Sequence, residues 1–148
     1  MPESTTSSVF PDVNVWLALT SARHVHYVVA SDWFSDVADT SRFYFCRHTQ
    51  LALLRLLTSE TVMGVDVMSQ AQAWDAYDGW IQDDRVDFLD EPAALEGRFR
   101  GATRSRRPAM KDWSDAYLAA FAGAAHLTLV TFDRAMRTKA RPVILLGG

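Results

Sequence analysis

The sequence predicts an α/β fold, a central parallel sheet of four or five strands with helices on both faces, three layers in all. Two observations carry this. Short β-like runs alternate with longer helical patterns along the whole chain. The chain has 148 residues, 49% hydrophobic and 22% charged, which suits one globular domain around one core.

The elements follow in order. Val9 to Asp12 reads as a short strand, and Asn14 is placed to cap a helix from Val15 to about Thr20. His24 to about Val37 reads as a second helix, with Val25, Val28, Val29, Trp33 and Val37 near helical spacing. Arg42 to Cys46 carries Phe43, Tyr44 and Phe45 and reads as a buried strand. Thr49 to Leu57 is a leucine-rich helix, and Ser69 to Ile81 an amphipathic one with Trp74 and Tyr77 on its apolar side. Val86 to Leu89 is a short strand after an acidic turn. Asp112 to about Ala124 is a helix of small residues. Leu127 to Phe132 (LTLVTF) is the clearest strand, a helical RAMRTK follows it, and Val143 to Leu146 is the last strand.

Composition excludes several classes. Cys46 is the sole cysteine, so no internal disulfide forms, which fits a reducing compartment. Net charge is −3, so any nucleic-acid contact must come from a local basic patch. Residues 1–8 (MPESTTSS) lack the features of a signal peptide and are expected to be a flexible tail, leaving 9–148 as a single domain. No apolar run reaches the roughly 18 residues a membrane helix needs, so no membrane partner and a cytoplasmic location are expected. Walker A, G-x-G-x-x-G, G-x-S-x-G and H-E-x-x-H patterns are absent from the sequence.

Several carboxylates look out of place. Asp12 interrupts the apolar run VFPDVNVWLAL, and a carboxylate buried there must be paired, hydrogen-bonded or metal-bound. Asp133 follows the strand LTLVTF as Asp12 follows the first strand. Two neighbouring parallel strands would bring both to one edge of the sheet, where ligand sites of such folds lie. Helix capping is the competing role for each. Asp115 lies in the first turn of the helix rich in alanine (116, 119, 120, 122 and 124), whose small side chains let it approach the sheet closely. Asp112 shares its face at i, i+3, and a capping role competes there too. Converging carboxylates without His or Cys ligands describe a hard-cation site for Mg²⁺ or Mn²⁺, and phosphodiester hydrolysis is the chemistry that fits. Thr131 is placed to support it by hydrogen bonding.

PDVNVWLAL, FCRHTQLALLRLLT, DWSDAYLAAFA and TLVTFDRAM, in this order, resemble the PIN-domain toxin ribonucleases of the VapC type. The resemblance spans about residues 9–146. It implies a three-layer α/β/α PIN-like domain and an Mg²⁺- or Mn²⁺-dependent endoribonuclease, the toxin of a type II toxin–antitoxin pair. It also implies a homodimer silenced by a small VapB-like antitoxin whose C-terminal segment lies over the active site. Asp12, Asp115 and Asp133 match the family's acidic positions and are the expected metal ligands. Where many members carry a glutamate early in the helix after the second strand, this sequence has Gln50, with a core-facing role as the competing reading. Asp112 is the candidate to compensate. Gln50 also motivates an alternative function, a catalytically weakened PIN-like module that binds RNA or antitoxin without cutting.

Residues 98–111 (RFRGATRSRRPAMK) hold six basic residues and no acid, and run directly into Asp112. Read as a loop, the segment offers Arg104, Arg106, Arg107 and Lys111 as phosphate contacts for an RNA substrate, a solvated mobile loop being the competing reading. The stretch from Asp75 to Glu96 is strongly acidic and reads mainly as a solubilising face. His24 and His26, two apart in an expected helix, point to different faces and read as structural. Cys46, near His48, reads as a buried inert thiol. The tryptophans, Trp113 included, read mostly as packing residues.

Overall fold

The computed structural model describes residues 7–147. Strands β1 (Ser7–Pro11), β2 (Ser41–Phe45), β3 (Val86–Phe88), β4 (Thr128–Thr131) and β5 (Val143–Leu145) form one sheet in the order β3-β2-β1-β4-β5. Every pairing is parallel. The helices are α1 (Val13–Thr20), α2 (Tyr27–Val37), α3 (Arg47–Leu57), α4 (Glu60–Met63), α5 (Gln70–Ile81), α6 (Leu95–Ala102) and α7 (Asp112–Ala125). Short 3₁₀ turns cover Ala38–Thr40, Gly64–Asp66 and Arg134–Thr138.

Side-chain alternation along the strands builds the three layers. Val9, Phe43, Phe45 and Val130 point into a core shared with α1, α3 and α5. Phe10, Leu129 and the half-buried Tyr44 point the other way, into a core with Leu118, Phe121 and Ala122 of α7. Trp16 of α1 stacks on Phe45 at 4.0 Å between ring centroids, and Phe121 stacks on Phe10 at 5.0 Å. Capping boxes start α3 (Cys46 with Thr49) and α5 (Ser69 with Gln72). Helix α7 ends on His126 in the left-handed conformation, φ 58°.

The strand order decides where a site can form. From β1 the chain moves outward through β2 to β3, then crosses back to place β4 on the other side of β1. The order therefore reverses between β1 and β4, and the crevice beyond their carboxyl ends is the switch point where open α/β sheets bind ligands.

Six sequence expectations need correction. β1 begins at Ser7, so Ser7 and Ser8 belong to the sheet rather than to a tail; residues 1–6 lie outside the described residues. Helix α1 starts at Val13, and its cap is Asp12, whose carboxylate accepts from the Val13 N–H; Asn14 lies inside the helix. Helix α2 packs through Ala30, Trp33, Phe34 and Val37, a complete i, i+3, i+4, i+7 stripe, while Val25 and Val28 are exposed. Trp74 lies beside the buried stripe of α5 rather than in it and is about half exposed. The first part of the basic segment is helical, because α6 carries Arg98 and Arg100. The short helix α4 and its following 3₁₀ turn bury none of their residues, so no apolar pattern marks them in the sequence. His24 and His26 precede α2, with the His26 N–H donating to His24 Nδ1 at 3.0 Å. Among the described residues no helix is long and apolar enough to cross a membrane.

Candidate active site

Asp12 leaves β1 at the switch point, and its backbone N–H still bonds to the Val130 carbonyl of β4 at 2.8 Å. The side chain is 7% exposed. One carboxylate oxygen accepts from the Val13 N–H at 2.6 Å, and the other from the Thr131 hydroxyl at 3.0 Å. Thr131 is fully buried at the end of β4, and its Oγ1 accepts in turn from the Asp133 N–H at 3.0 Å. One hydroxyl thus ties together the ends of the two central strands and the acids that follow them.

Asp133 is half-buried and caps the 3₁₀ turn, accepting from the Ala135 N–H at 2.9 Å. Asp115 lies half-buried in the first turn of α7, and its charge is felt at Asp12. Burial pushes the Asp12 carboxyl above its ordinary value; the hydrogen bonds from Thr131 and Val13 oppose this, and the charges of Asp115 and Asp133 add to the upward push. The sheet edge therefore gathers mutually repelling negative charge. Lys139 partly answers it, with its ammonium 3.1 Å from Asp115 and 3.9 Å from Asp112.

As they stand, no three acidic, His or Cys groups among the described residues form a ready-made metal cage. The donor set still fits a hard cation. Mg²⁺ is ordinarily held by one or two carboxylates, with waters and phosphate oxygens completing its shell, so a closed protein cage is not required. The Lys139 ammonium already occupies a cation's place against Asp115.

Gln50 is buried in α3, where its amide oxygen accepts from the Arg47 guanidinium and the side chain meets Tyr77 of α5. Asp112 is exposed and is linked to Asp115 through Lys139. Arg104, Arg106, Arg107 and Lys111 are exposed between α6 and α7. Cys46 is buried, and burial pushes its thiol upward in pKa, away from a reactive thiolate.

Two neighbours of the acids are not marked as such by the sequence. His48, in the first turn of α3, feels the negative charge of Asp12; that charge raises its pKa, while burial, the larger effect, lowers it. Its ring packs on Tyr117 of α7 at 5.3 Å. Its sequence signal is weak, since it lies three residues beyond the end of β2 rather than directly after it. Lys139 lies on the connection to β5, and nothing in its sequence context marks it.

The PIN domain model matches residues 9–142. The chain belongs to the PIN-domain family. This PIN domain is 41% identical over 128 residues to Ribonuclease VapC41 of Mycobacterium tuberculosis, in two strains, covering 84% of this chain and 88% of the relative. It is thereby one of the VapC-type ribonucleases. Solved structures share the PIN fold. One is VapBC2 from Rickettsia felis bound to a DNA fragment from their promoter, with TM-score 0.64 and 13% identity, covering 93% of this chain and 96% of that one. Another is the sarcin-ricin-loop-cleaving toxin VapC20 of M. tuberculosis, with TM-score 0.64 and 16% identity, covering 88% and 93%.

Proposed function

We propose that this VapC-type ribonuclease hydrolyses RNA phosphodiester bonds at the carboxyl edge of β1 and β4, using Mg²⁺ or Mn²⁺ held by Asp12, Asp115 and Asp133. The observation that carries the reading is the fixed carboxylate of Asp12, clamped by Thr131 at the switch point under the charges of Asp115 and Asp133. When bound, a divalent cation supplies Lewis acidity toward the phosphate and activates a water for attack. The residues of the chain do the rest. Thr131 and the Val13 N–H hold Asp12 in one orientation. Asp133 has one oxygen engaged by the Ala135 N–H. Asp115 would hold the ion in place of its present bond from Lys139. Arg104, Arg106, Arg107 and Lys111 hold flanking phosphates, offsetting the repulsion between an acidic site and a polyanion.

The structural neighbour crystallised as VapBC2 supports an antitoxin partner for this chain as well. We read the chain as the toxin of such a pair, acting as a homodimer, with the antitoxin's C-terminal segment laid over the acidic edge. The alternative is a PIN-like module that binds RNA or antitoxin without cutting. It draws on Gln50, whose amide oxygen already accepts from Arg47.

The test is cleavage of total RNA with mapping of the ends, together with calorimetric metal titration. Wild type is expected to cleave only with Mg²⁺ or Mn²⁺, and Asp12→Asn to lose at least about 100-fold in rate. Undiminished cleavage by an Asp12→Asn, Asp133→Asn double variant would refute the assignment. RNA affinity without metal binding at millimolar concentration would favour the non-cutting module.

A further inference from the structure

Helices α6 and α7 pack side by side and leave a groove of about 410 Å³ between them, lined by Glu96, Phe99, Arg100, Thr103, Arg104 and Trp113. Trp113 is 53% exposed there, with its indole meeting Phe99 edge-on at 6.0 Å between centroids. Phe99 meets Tyr117 edge-on at 5.7 Å, and Tyr117 packs against His48 in the first turn of α3, which feels the charge of Asp12. An aromatic wall therefore runs from the groove toward the acidic edge. Positive charge brackets it. Arg100 is tied to Glu96 at 3.0 Å, but the ion pairs among the described residues leave Arg104 and Arg107 free. Arg107 lines an adjoining cleft of about 110 Å³ whose wall also includes Trp113 and Asp112.

An exposed aromatic face flanked by unpaired guanidiniums is what an unpaired nucleotide requires: a surface on which the base stacks, and cations for its phosphates. The occupant is further specified by the helix itself. Trp113 and Asp115 are two residues apart in the first turn of α7, so their side chains diverge by about 200°. The indole faces α6, while Asp115 faces Lys139. A base on Trp113 therefore belongs to a nucleotide flanking the scissile phosphate.

Resting on the ribonuclease reading, we infer that the α6–α7 groove is a subsite for an unpaired RNA base, with Trp113 as its stacking platform and Arg104 and Arg107 as its phosphate contacts. Such a subsite selects single strands, since a paired base cannot leave its own stack without loss.

The test uses the full chain in EDTA, so that RNA is bound but not cut, with a labelled single-stranded oligoribonucleotide and its duplex. Trp113→Ala is expected to bind the single strand about tenfold more weakly, with duplex affinity changed less than about twofold, and Trp113→Phe to retain most of the wild-type affinity. The single strand is expected to quench tryptophan emission in wild type and much less in Trp113→Phe, a readout independent of how well Trp113→Ala folds. Equal single-strand affinity in wild type and a folded Trp113→Ala, or the same quenching in wild type and Trp113→Phe, overturns the subsite. If Asp12-dependent cleavage persists in that case, the ribonuclease reading stands without it. A wild type that neither binds nor cleaves RNA overturns both. Quenching by an acidic peptide that the oligonucleotide fails to displace overturns the nucleotide as occupant.

Discussion

Thr131 shows how much of a site rests on one uncharged side chain. It donates to Asp12 and accepts from the Asp133 N–H, so both acids lose their alignment if the hydroxyl is removed. Thr131→Val keeps the shape and removes the hydroxyl. Cleavage is expected to fall about 10- to 100-fold, with Thr131→Ser restoring most of it, as measured by initial rates on one RNA substrate. A residue whose role is only to fill the core would reverse that order, since Val preserves its volume and Ser does not. Asp83, far from the site in the turn before β3, illustrates the opposite electrostatics. Arg85 bonds it through its side chain and its backbone N–H, holding the carboxyl down to about 2. Because the folded value is depressed, the stabilisation is present above pH 3.8 and is lost as pH falls toward 2. The pair is partly exposed, so Asp83→Asn is expected to lose less than about 1 kcal/mol at pH 7, with the difference vanishing near pH 2 in thermal denaturation.

At the scale of elements, α7 carries the third acid only because it lies close to the sheet. Ala116, Ala120 and Ala122 are buried on the helix, and Phe121 reaches Phe10 of the central strand. A larger side chain at the buried alanines has no room. Ala120→Leu is expected to lose about 1–3 kcal/mol, measured by chemical denaturation, because overpacking forces strained rotamers or shifts the helix. The packing of α7 was legible in the sequence, since a run of alanines signals close approach. The neighbouring α6 was not, because LEGRFRGA buries only Leu95, and its charged and glycine-rich composition resembles a loop. Tertiary contact with α7 supplies what its own pattern lacks.

At the scale of the whole molecule, a net charge of −3 conceals a strong separation of charge. Acids cluster along 75–96, and cations along 98–111 beside the proposed cleavage centre. RNA binding should therefore weaken steeply with salt despite the acidic total. Replacing Arg104, Arg106 and Arg107 together by Gln is expected to reduce the slope of log affinity against log salt by about 2, read from binding isotherms at several salt concentrations. A slope equal to that of wild type would remove these residues from the interface.

Sequence by itself determined the alternation of strands and helices, and hence a parallel sheet, and it singled out Asp12, Asp115 and Asp133 as anomalies in their local context. These are local properties: apolar periodicity and a charge where apolar residues surround it. Only the tertiary structure decided that β1 and β4 are neighbours with the order reversing between them, that Asp12 caps α1 while Thr131 holds its other oxygen, that Lys139 pairs with Asp115, and that Trp113 lines a groove against α6. Thr131 and Asp12 are 119 residues apart, and Lys139 and Asp115 are 24 apart on different elements. Contacts of that kind leave no periodicity in the chain, because they depend on which strands come to lie side by side.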